Sequence, residues 1–276
     1  MQTNLNSNET LGGLGNRERE IIGHLHRLER LTVTNELLQT EFNFSREQSN
    51  LILSRLCNKG WLQRFLPGVY GLIDLSSPTP KLMPADPKAL AMELFPPCFL
   101  SGWTAAEHWE FTEQIFNVVV ALSSKSLRTN KFTVAGIRYR ISKIPPEQFF
   151  GTIKLWSGSR QIEIADPHRT IADILSNPEI GGGGRLTLQI VRSYFESKHV
   201  NLDTVLAYAI RMKNGALIKR LGFLTETFAN PSKQFLEKCQ AHIAKGVSLF
   251  DPKGPNQGPI KSKWNLRINI PTGDLL

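Results

Sequence analysis

The chain has 276 residues, of which 41% are hydrophobic, and a formal net charge of +9 at pH 7. This length allows a small domain plus a larger one, and no apolar run approaches the roughly 18 residues of a membrane span. The three cysteines are too few and too widely spaced for a disulfide framework or for a zinc site. The N-terminal residues lack the pattern of a signal peptide, so we expect a cytoplasmic protein.

The N-terminal segment predicts a tail followed by two helices. Residues 1–15 are polar and glycine-rich, so we expect a flexible tail. A first amphipathic helix begins at Asn16 and ends near Leu31. A second, shorter helix is capped by Thr32 or Thr34 and ends around residue 42.

A third helix and a hairpin complete this segment. Ser45 followed three residues later by Gln48 is the pattern of a capping box, and the helix it opens runs to about Asn58. The stretch KGWLQRFLPGVYGL contains two apolar strand runs joined by a Pro-Gly pair, which favours a type II turn. Helix, helix, short turn, helix and hairpin in this order predict a winged helix-turn-helix domain over residues 16–76.

The remaining chain predicts a larger mixed domain. A Pro- and Ser-rich stretch over residues 77–84 indicates a linker, and residues 85–276 form the C-terminal domain. Its strand patterns precede its main helical patterns, which indicates an α+β fold. Residues 181–184 read as a flexible connector, and residues 264–270 as a last strand that returns to the sheet.

The third helix has one apolar and one polar side. At 100° per residue, Ile52, Leu53, Leu56 and Cys57 share the core face. Short polar side chains and arginine suit base edges and phosphates, and the outward Leu51 suits a thymine methyl. We predict DNA contacts from Arg46, Gln48, Asn50, Ser54, Arg55, Lys59 and, on the hairpin, Arg64. Two alternatives stay open: a capping role for the glutamine and a merely solvated helix face.

Charge is distributed unevenly along the chain. Residues 1–84 carry 9 basic and 8 acidic side chains, whereas residues 205–276 carry 11 and 4. The winged domain therefore has a net charge of only +1. We expect the second domain, or a second protomer, to supply further phosphate contacts.

One stretch resembles a catalytic cluster. EIADPHRTIADI contains Asp166, His168, Arg169 and Asp173. The aspartate before Pro167 is better interpreted as a helix cap, and the arginine and second aspartate are spaced to pair on one helix face. No nucleophile triad, metal cluster or phosphate-binding loop is present in the sequence, so we predict neither an enzyme nor a cofactor.

Five stretches together resemble a known family. They are PGVYGL, FLSGWTAAEHWEFTEQ, IADPHRTIADIL, NGALIKRLGFLTE and WNLRINI, and they occur in this order over nearly the whole chain from about residue 16. The chain thereby resembles the AbiE-type antitoxins, the transcriptional regulators of type IV toxin-antitoxin systems that act by abortive infection in phage defence. The second and fourth stretches are the most distinctive.

The resemblance implies a repressor of its own operon. By motif position the recognition helix falls on residues 45–58 and the wing on residues 61–73, and operator DNA is the implied partner, with a homodimer on DNA as a further expectation. The C-terminal domain would neutralise a cognate nucleotidyltransferase toxin without a stable complex. A basic stretch in it is our candidate antitoxic or phosphate-contacting surface: Arg211, Lys213, Lys219 and Arg220. The alternative function is a winged-helix regulator without a toxin, whose larger domain binds a ligand or dimerises.

Overall fold

The computed structural model describes residues 11–28, 30–73 and 86–271 and has the α+β class that the sequence predicts. The helices are α1 (Asn16–Arg27), α2 (Asn35–Phe42), α3 (Arg46–Asn58), α4 (Pro87–Leu94), α5 (Gly102–His108), α6 (Pro167–Ser176), α7 (Gly184–Glu196), α8 (Leu202–Arg211), α9 (Gly215–Phe228) and α10 (Lys233–Ala241).

The strands of the first half are β1 (Thr32–Thr34), β2 (Leu62–Leu66), β3 (Val69–Leu72), β4 (Cys98–Leu100), β5 (Val118–Ser123) and β6 (Lys131–Val134). Those of the second half are β7 (Ile137–Lys143), β8 (Thr152–Ser157), β9 (Arg160–Ala165), β10 (Ser248–Leu249), β11 (Ile260–Lys261) and β12 (Leu266–Arg267).

The chain divides into two compact units. The first contains the residues up to Pro96 together with Thr133–Ile137, and the second contains Pro97–Phe132 and the residues from Arg138 onward. The predicted linker at 77–84 lies outside the described residues. The sequence predicts that the C-terminal domain begins at residue 85, but α4 belongs to the first unit. It contacts β1, and the Glu93 carboxylate accepts hydrogen bonds from the backbone of Leu31 and Thr32.

The first unit contains helices α1–α4 and a small sheet, and α1–α3 pack with that sheet. The sheet has the order β1-β3-β2, with all pairs antiparallel. Its core is formed by apolar residues of α1 and α3 together with the sheet, and includes Leu25, Val33, Leu53, Leu56 and Leu72. This arrangement of three helices and a β-hairpin is winged-helix-like.

Part of the predicted tail is ordered. Residues 1–10 lie outside the described part of the chain, but the Gly12 N–H donates to the Lys59 carbonyl at 2.9 Å. The Trp61 indole N–H in turn donates to the Gly12 carbonyl at 2.7 Å. Within the predicted flexible tail, Gly12 therefore has both of its backbone groups bonded to residues that directly follow α3.

The second unit is built on a larger mixed sheet. The six strands have the order β6-β7-β5-β4-β9-β8, with parallel pairs between β4 and β9 and between β5 and β7. An apolar core contains residues of α6, α7, α8 and α9. Apolar residues at helical spacing predict helices over 167–175, 188–196, 202–212 and 216–229, and α6, α7, α8 and α9 lie there. The ends agree to within one residue, except that α7 begins four residues earlier than predicted.

Two expectations about this unit were wrong. Residues 181–184 are not a loose connector, because Gly181 ends a 3-10 helix and Gly184 begins α7 with its N–H donated to the Asp251 carboxylate. The C-terminal segment does not return to the large sheet either. Its strand β12 pairs with β10 and β11 in a separate three-stranded sheet.

Candidate nucleic-acid interface

A tight turn places α3 after α2. The Thr34 hydroxyl accepts from the Leu37 N–H and caps α2, which ends at Asn43 in a left-handed conformation with φ 52°. Phe44 is buried in the turn and anchors it to the core. Ser45 is extended and begins α3. The backbone thus makes the helix-turn-helix connection that the sequence predicts.

The two faces of α3 are those of the predicted amphipathic helix. Leu53 and Leu56 are fully buried, and Ile52 and Cys57 pack against the same core. The side chains that the helical wheel places outward are exposed, including Leu51 at 58%. The exposed set is Arg46, Glu47, Gln48, Asn50, Leu51, Ser54, Arg55 and Asn58.

The first turn of α3 is held by its own side chains. The Ser45 N–H donates to Gln48 Oε1 at 3.0 Å, and the Gln48 N–H donates to Ser45 Oγ at 3.2 Å. The capping box is confirmed, which leaves the amide nitrogen of Gln48 as its group for another partner. Hydrogen bonds from the backbone N–H of Glu47 and then from the Ser45 hydroxyl keep the Glu47 pKa below its usual range.

An asparagine of the preceding helix orients the one on α3. Asn35 Nδ2 donates to Asn50 Oδ1 at 2.8 Å. That oxygen has a second lone pair and the Asn50 amide nitrogen has two hydrogens, so both groups needed for an adenine edge are present. Sequence reasoning missed Asn35, because nothing in the spacing of 15 residues signals this contact.

The predicted cations differ in availability. Arg46, Arg55 and Arg64 are exposed, and none forms an ion pair with another described residue. Lys59, by contrast, donates to a Glu18 oxygen at 2.5 Å and is only 30% exposed along its side chain. That hydrogen bond, followed by one from the Gly15 N–H, lowers the Glu18 pKa. We call the three exposed arginines the interface arginines.

The hairpin closes the core and presents an arginine. Leu62 and Leu72 are each 2% exposed, whereas Arg64 is exposed and pairs in register with Tyr70. Gly68 has φ +76°, as the predicted type II turn requires. Gly71 is fixed by packing, since a Cβ there would lie 2.0 Å from the Phe65 ring.

Two of the four residues in the predicted basic surface of the second unit are buried. Lys219 and Arg220 are 1% and 2% exposed. Lys219 Nζ donates to the Gly246 carbonyl at 2.6 Å and the Ser248 hydroxyl at 3.1 Å. These two residues therefore do not form part of the predicted antitoxic or phosphate-contacting surface, because both are buried and donate to carbonyl oxygens of the C-terminal segment.

Burial dominates the electrostatics of this pair. It lowers the Lys219 pKa and lowers that of Arg220 to about 10. The Arg220 guanidinium donates to the carbonyls of Phe250, Leu175 and Leu249 at 2.6–2.9 Å. The other two members, Arg211 and Lys213, are exposed, and Arg211 lies 3.7 Å from the centre of the Phe150 ring.

A basic cleft in the second unit was not predicted. Lys125, Arg128 and Lys143 line an open cleft of about 410 Å³ together with Thr129 and Asn130. All three cations are exposed, and none has an ion-pair partner among the described residues. The sequence contains a short basic loop, SSKSLRTNK, as a signal. Its cations come close to Lys143 of β7 only when the chain folds.

The polar cluster around α6 forms the helix cap and the ion pair that the sequence indicates. Asp166 Oδ1 accepts from the Arg169 N–H at 2.7 Å and caps α6, which has Pro167 at its first position. Arg169 and Asp173 form a buried ion pair at 2.8 Å. Burial lowers the His168 pKa, and its Nδ1 lies 2.9 Å from the Tyr194 hydroxyl. Across residues 11–28, 30–73 and 86–271, no group of three His, Cys, Asp or Glu is placed to hold a metal ion.

Comparison with known proteins shows the fold alone. The chain matches no protein-family model and no curated protein. It is similar to the crystal structure of the Rv2827c protein from Mycobacterium tuberculosis, with a TM-score of 0.61, 13% identity and coverage of 94% of this chain and 92% of that one. In the part of the chain that the structure describes, no helix is long and apolar enough to span a membrane.

Proposed function

We propose that this protein is a DNA-binding transcriptional repressor that acts through α3 and the β2-β3 hairpin. The observation that carries the proposal is the outward face of α3, where Asn50, Ser54 and Arg55 are exposed on a helix whose other face is fixed in the core. A helix of this kind in a helix-turn-helix reads base edges in the major groove. The fold is shared with Rv2827c over 94% of this chain, which includes α3 and the hairpin.

The roles within the interface follow from geometry. Asn50, oriented by Asn35, suits an adenine edge, and Arg55 suits guanine or phosphate. Arg64 on the hairpin and Arg46 at the start of α3 suit phosphates. Lys59, which is bound to Glu18, contributes more to holding the end of α3 than to DNA contact.

The small number of free cations requires help from elsewhere. Three interface arginines support only modest electrostatic affinity, because each phosphate contact contributes separately through counterion release. Lys219 and Arg220, which we call the α9 pair, are buried. The cleft lined by Lys125, Arg128 and Lys143 replaces them as the candidate phosphate-contacting surface. It also supports an interaction of the second unit with an anionic partner.

The antitoxin role is part of the same proposal. The resemblance to AbiE-type regulators supports an operon that also encodes a nucleotidyltransferase toxin, which the second unit counteracts without a stable complex. The larger unit, with its own core and sheet, is a candidate for this second activity. The cap and the buried ion pair of α6 occupy its polar side chains in holding the helix, which favours a structural role over catalysis there.

The DNA-binding part is tested by a gel-shift titration with the duplex that lies upstream of the gene. We expect a shift at low salt that weakens steeply as salt rises. A matched variant, Arg27→Ala, changes an exposed arginine at the end of α1 and should leave the shift intact. Absence of any shift at low salt would contradict the proposal.

The toxin part is tested by co-expression with the adjacent gene. A neighbour that encodes a nucleotidyltransferase, arrests growth alone and is harmless with this chain would support the antitoxin role. A harmless neighbour would leave the alternative, a winged-helix regulator whose larger unit binds a ligand or dimerises. Variants lacking interface arginines separate the two activities, since rescue from toxicity should survive the loss of DNA binding.

A further inference from the structure

The outer strand of the six-stranded sheet has an open edge. Strand β8 ends the strand order, and within the described ranges it pairs with β9 alone. An open edge presents unpaired N–H and C=O groups that another strand can bind. Trp156 on this strand is 72% exposed. Because tryptophan is enriched at protein interfaces and their energetic centres, this edge is a candidate docking surface.

The hairpin loop determines which backbone groups face outward. β8 and β9 are joined by the two residues Gly158 and Ser159, and Ser157 pairs with Arg160 at the end of the ladder. In a two-residue hairpin this closing pair is hydrogen-bonded, and hydrogen-bonded pairs then alternate along the ladder. Every second residue of β8, starting from Ser157, therefore directs its backbone toward β9.

The residues between them direct their backbone to the open edge. These are Trp156, Lys154 and Thr152, and the side chains of the first two are exposed on the same face of the sheet. Leu155 lies on the opposite face, where it is half-buried and pairs in register with the buried Ile162. The edge thus offers alternating hydrogen-bonding groups with one lysine and one tryptophan beside them.

We propose that β8 pairs antiparallel with β8 of a second copy of this chain, with the two-fold axis at Leu155. Lys154 of each copy then lies opposite Trp156 of the other, on the face where both side chains are exposed. Both residues have their backbone groups directed outward, so each such pair is also a hydrogen-bonded pair. The ammonium groups meet aromatic rings twice, once on each side of the axis.

Other registers are less favourable. A shift of two residues one way places Lys154 opposite Lys154, and like charges directly opposite repel. The same shift the other way pairs Trp156 with Trp156, but it places Lys154 opposite Gly158, beyond the end of the strand, so that both lysines lose their aromatic partner. Lysine on an edge strand commonly prevents pairing, but here one register gives the charge a complementary ring.

The interface is small, and we expect weak association. Pairing of two six-residue strands buries less than the approximately 1,200 Å² of a stable complex. The dimer should therefore form at high protein concentration or where two copies are held close together. The proposal does not depend on DNA binding, since it concerns the second unit by itself.

Disulfide trapping of the full-length chain tests the proposed axis. In a non-hydrogen-bonded antiparallel pair the two Cα atoms are about 4.5 Å apart, which is within disulfide range. Under mild oxidation we expect Leu155→Cys to form covalent dimers about tenfold faster than Gln161→Cys, a control on the inner strand β9. Mass spectrometry should identify a linkage between the two engineered positions, and thermal unfolding checks that both variants are folded.

Removal of the aromatic ring is the second arm of the test. Trp156→Ala in the Leu155→Cys background should slow the cross-linking about tenfold, as expected for an anchor residue. Independently, sedimentation of the unmodified chain should show concentration-dependent association that Trp156→Ala abolishes. Equal cross-linking of the Leu155→Cys and Gln161→Cys variants, or a chain that stays monomeric at all concentrations, would overturn the proposal and leave the edge to a strand from a different protein.

Discussion

The interface arginines and the α9 pair are all cationic side chains, but the first are exposed and the second are buried. Arg55 and Arg64 are exposed on α3 and the hairpin, whereas Lys219 and Arg220 are almost completely buried and bind backbone carbonyls. The difference shows that the regional charge of a sequence does not give the charge of a surface. The last quarter of the chain is the most basic part, yet two of its cations hold that segment in place.

The α9 pair should respond to mutation through stability. Arg220→Met leaves buried carbonyls of Phe250, Leu175 and Leu249 without a donor, so we expect a loss of about 3–5 kcal/mol in the free energy of unfolding. Urea denaturation measures it. The matched control Lys253→Met, at an exposed position, should stay within about 0.5 kcal/mol of the original chain. Equal stability of the two variants would contradict the structural role that we assign to the α9 pair.

Arg55 should show the opposite behaviour. Arg55→Ala removes an exposed side chain, so unfolding should change by less than about 0.5 kcal/mol. Affinity for the upstream duplex should fall by about 1–3 kcal/mol, or roughly five- to 150-fold, if the guanidinium contacts a base. Fluorescence anisotropy with a labelled duplex gives the affinity. Unchanged affinity together with reduced stability would mean that Arg55, like the α9 pair, stabilises the fold and does not contact DNA.

Arg64 should have a smaller and less selective effect. A phosphate contact from the hairpin contributes equally to every sequence, so Arg64→Ala should weaken binding to specific and scrambled duplexes alike. The slope of log affinity against log salt should decrease by about one. Arg27→Ala provides the control slope. A change in sequence preference would instead indicate that the hairpin reads bases.

Lys59 is intermediate between the exposed arginines and the buried α9 pair. Its ion pair with Glu18 makes a contribution to stability that depends on pH. The Glu18 pKa is lowered from its ordinary 4.5 by Lys59 and then by the Gly15 N–H. Because the folded pKa is the lower one, this contribution to stability is present at neutral pH and is lost as the pH falls below about 4.5. Glu18→Gln should cost about 1 kcal/mol at pH 7, since the Lys59 side chain is 30% exposed and solvent screens the pair.

The pH dependence distinguishes an ion pair from simple packing. Between pH 7 and pH 3, the stability difference between the original chain and Glu18→Gln should shrink toward zero. Glu20→Gln, on an exposed position of the same helix, should show no comparable trend. A difference that is constant with pH would mean that Glu18 acts through its shape alone.

Local signals predicted the winged-helix-like unit well. The Ser45 and Gln48 capping box, the glycine at position 68 and the apolar face of α3 are each determined within a few residues of the chain, and all three are observed. α10 was missed because its apolar residues are few, with Phe235 and Cys239 as its buried positions. Its position depends on packing against α9.

Long-range contacts could not be predicted in this way. Lys59 finds Glu18 across 41 residues, and Arg220 finds Phe250 across 30. The partners of the α9 pair are carbonyls and a hydroxyl, so no acidic residue in the sequence signals burial of a cation. The open edge of β8 likewise follows from strand order in the sheet, which periodicity alone does not determine.

The most direct test of DNA recognition by α3 is a comparison of two duplexes. Affinities of the original chain and of the Asn50→Ala, Arg55→Ala double variant would be measured at one salt concentration for the upstream duplex and a scrambled one. We predict that the original chain prefers its own duplex by roughly a thousandfold or more, and that the folded double variant loses most of that preference while retaining weak binding to both. An equal preference in the two proteins, or no preference in the original chain, would contradict the account.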